Sequence, residues 1–311
     1  FSEYLETVRD ANFEDLGGMI STWSDLVKTA SSDVTDYEMK TRGELVSSFN
    51  TSDGDYEPIV LELKKKYSKA NVVPSGIPEL DSGFLNGGFQ PSRLHLFSGT
   101  SGIGKSLLLL NLAKRAAMSN QDPMRPPSGS VLDTGPEEVY LYVTMENYVY
   151  ETWARLYCSL FKQTKEEMLA RLSKAETSPG DIRQEIQSLM APYNSSLQIE
   201  YFPAHSISPA NISSLIKKYS QDPTRKIVKA VYIDYLDLLQ PDEPKELYRL
   251  NLGEITSGLK SISGLFEIPI ITATQLNREA YKRGKGSDLG SEMISESIQK
   301  LFIVDFSAMM Y

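Results

Sequence analysis

The sequence has few of the residues that form disulfides and metal centres. One cysteine, Cys158, and two histidines, His95 and His205, occur in 311 residues. One cysteine excludes an internal disulfide and a cysteine-rich zinc site, and it is typical of a reducing compartment. Two isolated histidines do not form a metal site. We interpret His95, in a predicted strand, as a packing residue whose ring nitrogens are satisfied.

The chain also lacks long hydrophobic runs. No apolar run approaches the roughly 18 residues that span a membrane, and no signal-peptide pattern is present. We therefore expect a globular, cytoplasmic protein with no membrane partner. Because the chain begins at Phe1 and not at a methionine, we expect it to be part of a longer protein.

Basic residues are scarce at the N-terminus. The formal net charge is −9, and residues 1–56, with twelve acidic and four basic side chains, account for −8 of it. The rest of the chain is therefore close to neutral, at −1. An even spread of negative charge would argue against nucleic-acid binding, whereas this distribution is compatible with a local basic groove.

A glycine-rich stretch has the composition of a phosphate-binding loop. Residues 99–106 match G-x-x-x-x-G-K-[ST] at each fixed position, between an apolar run and a run of helix formers. Main-chain N–H groups would cradle phosphates, Lys105 would reach the outer phosphates, and Ser106 would bind Mg²⁺. We therefore predict ATP and Mg²⁺ as cofactors. The predicted nucleotide-binding residues are Gly99, Thr100, Ser101, Gly102, Ile103, Gly104, Lys105 and Ser106.

Strand and helix patterns alternate along residues 72–311. The predicted strands are 93–98, 137–146, 197–202, 228–235, 268–273 and about 300–310. The predicted helices are 105–118, 148–163, 165–175, 179–192, 208–221 and 244–264. This alternation predicts an α/β fold with a mainly parallel sheet and helices on both faces. Before it we expect a small acidic helical segment at 1–56 and a linker helix at 57–71.

Three polar residues at predicted strand ends complete the expected site. Asp234 follows an apolar strand and is predicted to bind the metal ion, as in a Walker B segment. Glu146 ends another strand and would polarise the attacking water. Gln275 follows a third strand and would hydrogen-bond the γ-phosphate or its water. Each could instead be an ordinary strand-end residue, and we interpret Asp237, just past Asp234, as a surface or partner residue.

The segment after Gln275 is rich in basic side chains. A basic loop beside a phosphate sensor suits a polyanion that must be bound and released. An ordinary solvated surface loop is the alternative. The predicted DNA-binding residues are Arg278, Lys282, Arg283 and Lys285.

Four stretches, taken together and in order, resemble the DnaB-like replicative hexameric helicases, a family of RecA-like ATPases. They are the phosphate loop with the segment before it (73–113), LYVTMEN (141–147), VYIDYLDLLQ (231–240) and ATQLNRE (273–279). The resemblance covers about residues 72–311. It implies a RecA-like motor that moves on single-stranded DNA as a hexameric ring, with a primase and a helicase loader as partners. It also implies that Glu146 is the catalytic glutamate, acting with Lys105 and Gln275.

Two departures from the family pattern qualify the resemblance. Asp288-Leu289-Gly290 stands where many bacterial members carry Asp-Leu-Arg, so the arginine that contacts DNA in those members is missing here. SESIQKLF (295–302) resembles the phage members of the family. The family's arginine finger lies beyond Tyr311, so we expect the motor domain to be C-terminally incomplete and a neighbouring subunit to supply the finger. The alternatives are a RecA/RadA-type recombination ATPase and a KaiC-like regulatory ATPase that binds a protein partner. The Met-Glu strand and Gln-Leu-Asn-Arg favour the helicase.

Overall fold

The computed structural model describes most of the predicted motor domain. The described residues are 60, 61, 63, 64, 71–119, 136–174, 177–221, 226–276 and 299–310. The acidic segment at 1–56 lies outside them, so its helical character stays a prediction. So do the roles of four residues that also lie outside them: Arg278, Lys282, Arg283 and Lys285. Within the predicted linker helix, the four described residues from Val60 to Lys64 are helical and exposed.

Six strands form one parallel sheet in the order β3-β2-β4-β5-β1-β6. The strands are β1 (Leu94–Gly99), β2 (Glu137–Thr144), β3 (Ser195–Tyr201), β4 (Lys226–Asp234), β5 (Ile270–Gln275) and β6 (Phe306–Met310). Most positions of β1, β2, β4 and β5 are buried. This burial explains why these strands read as nearly continuous apolar runs, as expected for a parallel sheet covered on both faces.

Helices connect the strands. They are α1 (Pro78–Gly83), α2 (Lys105–Ala117), α3 (Val149–Phe161), α4 (Lys165–Leu172), α5 (Pro179–Met190), α6 (Pro209–Ser220), α7 (Tyr248–Leu265) and α8 (Gln299–Ile303), with a 3₁₀ turn at Leu236–Leu238. Capping boxes begin α4 and α5, where Thr164 and Ser178 accept from the third helical N–H. Among the described residues, no helix has the length and apolarity needed to cross a bilayer.

Alternate residues of β2 enter two hydrophobic cores. Val139, Leu141 and Val143 pack in the core that contains the apolar residues of α6 and α7. Tyr140 and Tyr142 pack in the core that contains those of α2. Because successive strand side chains point to opposite faces, helices cover both faces of the sheet. The predicted α/β architecture is confirmed.

Beyond shifts of up to three residues at element ends, three element predictions differ from the structure. Residues 300–305 are not strand, because α8 precedes β6 and buries Lys300. The helix predicted from 244 begins at Tyr248, because the Asn251 side chain bonds the main-chain N–H and carbonyl of Lys245 and holds that residue in a loop. The short helix α1, which begins with Pro78, was missed because the surrounding glycines and prolines indicated a loop.

Candidate nucleotide-binding site

The carboxyl ends of four neighbouring strands meet at one edge of the sheet. In the pairing of β1 with β5, Gly99 lies opposite Gln275, and in that of β2 with β4, Thr144 lies opposite Asp234. The N–H of Leu276 donates to the carbonyl of Gly99 at 3.1 Å and continues the first pairing past the strand end. Ligands of parallel α/β sheets bind outside this edge. The fold therefore brings the predicted strand-end residues to one side of the sheet.

The phosphate loop joins β1 to the N-terminus of α2. Gly102 and Gly104 have φ angles of +76° and +103°, which residues other than glycine rarely adopt. A Cβ built on either glycine has no neighbouring atom within 4 Å, so the loop faces open space and not the core. Main-chain N–H groups and the positive end of the helix dipole make this space suitable for an anion.

Lys105 supplies a positive charge to the loop from the first position of α2. The residue is only 9% exposed. Its ammonium donates to the carbonyls of Gly99 at 3.1 Å and Thr100 at 2.8 Å, and it lies 5.9 Å from the centroid of the Tyr235 ring. These contacts keep the cation beside the loop, where it can bind the outer phosphates of a nucleotide.

Ser106, Asp234 and Glu146 come from three different elements and meet beside the loop. Ser106 Oγ lies 2.9 Å from Asp234 Oδ1 and 3.3 Å from Glu146 Oε2. Burial raises the pKa of Asp234 to about 6, although hydrogen bonds from Ser106 and Tyr142 act in the opposite direction. Glu146 is exposed. Mg²⁺ prefers oxygen ligands, and beside a nucleotide it binds one or two protein oxygens together with the phosphates. The hydroxyl of Ser106 and the carboxylate of Asp234 therefore fit the ion.

Two further residues of β2 hold this geometry, and both were missed from the sequence. The Tyr142 hydroxyl lies 3.1 Å from Asp234 Oδ2. Thr144 Oγ1 accepts from the N–H of Asn147 at 3.2 Å, which fixes the turn that carries Glu146. Their position on the strand that leads to Glu146 was the available signal, but nothing in the strand pattern pairs Tyr142 with Asp234.

Residues 72–299 match the family model of the DnaB-like helicase C terminal domain. The chain belongs to this family. The replicative DNA helicase DnaB of Haemophilus influenzae is 21% identical over 236 residues, which cover 75% of this chain and 45% of that protein. The chain thus spans about half the length of the curated relatives it matches.

Two solved structures share the fold of this DnaB-like domain. One is an ATPase domain, which has a TM-score of 0.64 at 22% identity, with 84% of each chain covered. The other is a DnaB-like replicative helicase, described with its interactions with primase, which has a TM-score of 0.64 at 18% identity, with 93% of this chain and 64% of that chain covered. At these identities the likeness shows the fold alone, and it confirms the predicted RecA-like architecture.

In this DnaB-like domain, Gln275 ends β5 and contacts the turn that follows Asp234. Its main-chain N–H lies 3.3 Å from Asp237 Oδ2. The interpretation of Asp237 as a surface or partner residue is therefore wrong: its side chain is 12% exposed and pairs with the buried Lys300. The 3₁₀ turn that contains Asp237 brings the carboxylate against the end of β5, which the spacing from Asp234 did not indicate.

Arg155 is a second positive charge that the motifs did not assign to the site. It lies exposed on α3, the helix that follows Glu146. Burial is the main cause of the raised pKa of Asp234. The charge of Arg155 acts in the opposite direction and lowers that pKa. A cation of the same chain therefore acts on the carboxylate beside the phosphate loop.

His95 packs in the core of the DnaB-like domain, and neither ring nitrogen has a hydrogen-bond partner within the described residues. The expectation of satisfied nitrogens is therefore wrong. The ring is edge-on to that of Phe89, with centroids 4.8 Å apart, and tilted to that of Phe306, with centroids 5.8 Å apart. The main chain of Gln90 acts to raise the pKa of His95 without making a well-formed hydrogen bond. Burial lowers the pKa of His95 to about 3, so the imidazole is neutral. Across the described ranges, no three His, Cys, Asp or Glu residues group as metal ligands.

Proposed function

We propose that this chain is the ATP-hydrolysing motor of a replicative DNA helicase that moves on single-stranded DNA as a hexameric ring. The observation that carries the proposal is the grouping of Lys105, Ser106, Asp234 and Glu146 at one sheet edge of a DnaB-like helicase domain. The names of the relatives, which are replicative helicases, support the assignment to DNA replication.

ATP and Mg²⁺ are the proposed cofactors. The main-chain N–H groups of residues 99–106 bind the phosphates, and Lys105 exchanges the carbonyls of Gly99 and Thr100 for phosphate oxygens. Ser106 and Asp234 hold the metal ion. When bound, Mg²⁺ neutralises charge that develops on the phosphate oxygens.

Glu146 is the proposed general base. Its carboxylate takes a proton from water as the water oxygen forms a bond to the γ-phosphorus. The bond from the γ-phosphorus to the bridging oxygen breaks, and ADP leaves with the electron pair. Gln275 orients the water or the γ-phosphate. Lys105 supplies positive charge within the subunit, and we propose that an arginine of a neighbouring subunit supplies more.

Single-stranded DNA is the proposed polymer substrate. The proposed contacts are Arg278, Lys282, Arg283 and Lys285. A primase is the proposed partner, because the DnaB-like helicase of similar fold was described with primase, and a helicase loader follows from the family resemblance. The family match favours this reading over a recombination ATPase or a regulatory ATPase.

ATP hydrolysis and strand displacement on a forked duplex test the proposal. In the full-length protein, we expect hydrolysis to rise with single-stranded DNA, and ATP to drive displacement. Lys105→Ala should abolish both, because it removes the cation of the phosphate loop, whereas Lys165→Ala, at an exposed position of α4, is the matched control. Normal hydrolysis in Lys105→Ala would refute the site. Hydrolysis that does not change with DNA, without strand displacement, would favour the regulatory ATPase. Filament growth with strand exchange would favour the recombination ATPase.

The shared site is tested by specific activity against protein concentration. If an arginine of a neighbour completes the site, turnover per subunit of the full-length protein should rise steeply with concentration as subunits assemble, whereas residues 1–311 alone should bind ATP and hydrolyse it poorly. A verified monomer that hydrolyses ATP at the assembled rate would contradict a shared site while leaving the phosphate loop assignment intact.

A further inference from the structure

An ion pair is buried beside the proposed nucleotide site and has no role in the chemistry above. Lys300, in α8, is fully buried, and its ammonium pairs with the carboxylate of Asp237, whose side chain is 12% exposed. A buried charge without a partner is strongly disfavoured, so each residue stabilises the buried position of the other. The two residues lie 63 positions apart, and the pair joins α8 to the turn after Asp234.

The two carboxylate oxygens of Asp237 bind different elements. Oδ1 accepts from the ammonium of Lys300. Oδ2 accepts from the hydroxyl of Thr274 at 2.7 Å and from the main-chain N–H of Gln275 at 3.3 Å. Lys300 Nζ also lies 2.8 Å from Thr274 Oγ1, which closes the network. Asp237 therefore anchors the end of β5 through one oxygen while Lys300 holds the other.

The anchored strand end is the one that carries Gln275. Gln275 lies opposite Gly99, the first residue of the phosphate loop, and the next N–H, that of Leu276, donates to the Gly99 carbonyl. The main chain around Gln275 is thus held by the phosphate loop on one side and by Asp237 on the other. A change at Asp237 would move Gln275 relative to the loop without altering the loop itself.

We propose that Asp237, with Lys300 as its counter-ion, is a positioning residue that fixes Gln275 so that the site distinguishes a nucleoside triphosphate from a diphosphate. The inference rests on the proposed function, in which Gln275 contacts the γ-phosphate or its water. Asp237 acts through the main chain of Gln275. Positioning of Gln275 needs an acceptor oxygen on the side chain of residue 237. The negative charge of Asp237 is balanced by the ammonium of Lys300.

Equilibrium binding of Mg·ADP and Mg·AMP-PNP, a non-hydrolysable triphosphate analogue, tests the inference without turnover. Asp237→Ala combined with Lys300→Met removes the acceptor and leaves no unpaired charge. We expect it to lower the preference for AMP-PNP over ADP at least fivefold while the Kd of ADP changes less than twofold. Asp237→Asn with Lys300→Gln keeps an acceptor oxygen, so we expect a preference within twofold of the wild type.

Gln275→Ala tests whether the pair acts through Gln275. We expect it to lower the preference by a similar factor, and its addition to the Ala/Met variant to give no further loss. Additive losses would show that the pair acts independently of Gln275 and would overturn the inference. If the Asp237–Lys300 pair had only a structural role, its removal would weaken the binding of ADP and of AMP-PNP by similar factors.

Two variants keep the test decisive. Arg171→Met with Glu185→Gln removes an ion pair between α4 and α5 and is the matched control, for which the preference should not change. Thr274→Val is a near-isosteric change that removes one bond to Asp237 Oδ2. We expect it to lower the preference at least threefold, and a wild-type preference would overturn the inference even where the Ala/Met variant fails to fold.

Nucleotide binding by the wild-type chain distinguishes failure of this inference from failure of the proposed function. Equal binding of ADP and AMP-PNP would overturn the positioning role and leave hydrolysis to its own test. Absence of any nucleotide binding would refute the proposed function itself.

Discussion

The buried imidazole of His95 makes a sharp prediction about stability and pH. Burial lowers its pKa from 6.5 to about 3 in the folded chain. Because the folded state binds the proton less readily than the unfolded state, the contribution to stability is complete above pH 6.5 and is lost as the pH falls toward 3. At pH 5 the unfolded imidazole is mostly protonated, which favours unfolding by about 2 kcal/mol relative to pH 7.5.

His95→Leu should remove this pH dependence. Urea unfolding at pH 7.5, 6.0 and 5.0, followed by tryptophan fluorescence, gives the free energy of unfolding of each protein. Asp234 acts in the opposite direction, because its pKa of about 6 lies above its ordinary 3.8 and acid stabilises the folded state. That effect is common to both proteins and cancels in their difference. Between pH 7.5 and 5.0, the wild type should lose about 2 kcal/mol more than His95→Leu.

The control is His205→Asn, which removes the exposed imidazole and keeps His95. His205 has a φ of 57°, and asparagine accepts this conformation. We expect this variant to retain the wild-type loss in acid. Matching losses in wild type and His95→Leu, within about 0.5 kcal/mol, would refute the burial argument for His95.

Three further predictions test the catalytic site, the basic segment and the core. Glu146→Gln should bind ATP and hydrolyse it about 10²–10⁴-fold more slowly, and a loss under threefold would move the general-base role elsewhere. Changing Lys282, Arg283 and Lys285 to Ala should flatten the salt dependence of single-strand binding by about 0.7 for each phosphate that the variant no longer neutralises; an unchanged slope would indicate an ordinary surface loop. Leu259→Ala, at a fully buried position of α7, should lower the free energy of unfolding by about 2–5 kcal/mol in urea, and a decrease below about 1 kcal/mol would contradict its place in the core.

The phosphate loop and the alternation of strands and helices were predictable because their physics is local. Gly102 and Gly104 are needed where the chain adopts positive φ, and Lys105 follows them directly at the helix N-terminus. The spacing of apolar residues along a segment distinguishes a helix from a strand and shows which of its faces is buried. Asp234 and Glu146 could be placed at one edge of the sheet because parallel strands share the direction of their carboxyl ends. None of these arguments needs the order of the strands, and the sequence pattern did not contain that order.

Tertiary structure decided which polar side chains meet. Tyr142 and Asp234 are 92 residues apart, and their contact depends on the pairing of β2 with β4. The interpretation of Asp237 failed because its partner, Lys300, belongs to α8, where a strand was predicted. His95 makes no well-formed hydrogen bond within the described residues, and its ring packs between Phe89, which is near in sequence, and Phe306, which comes from β6. A sequence determines the conformational freedom and polarity of each residue, whereas burial, which sets the pKa of His95 and makes the Asp237–Lys300 pair necessary, exists only once distant segments pack together.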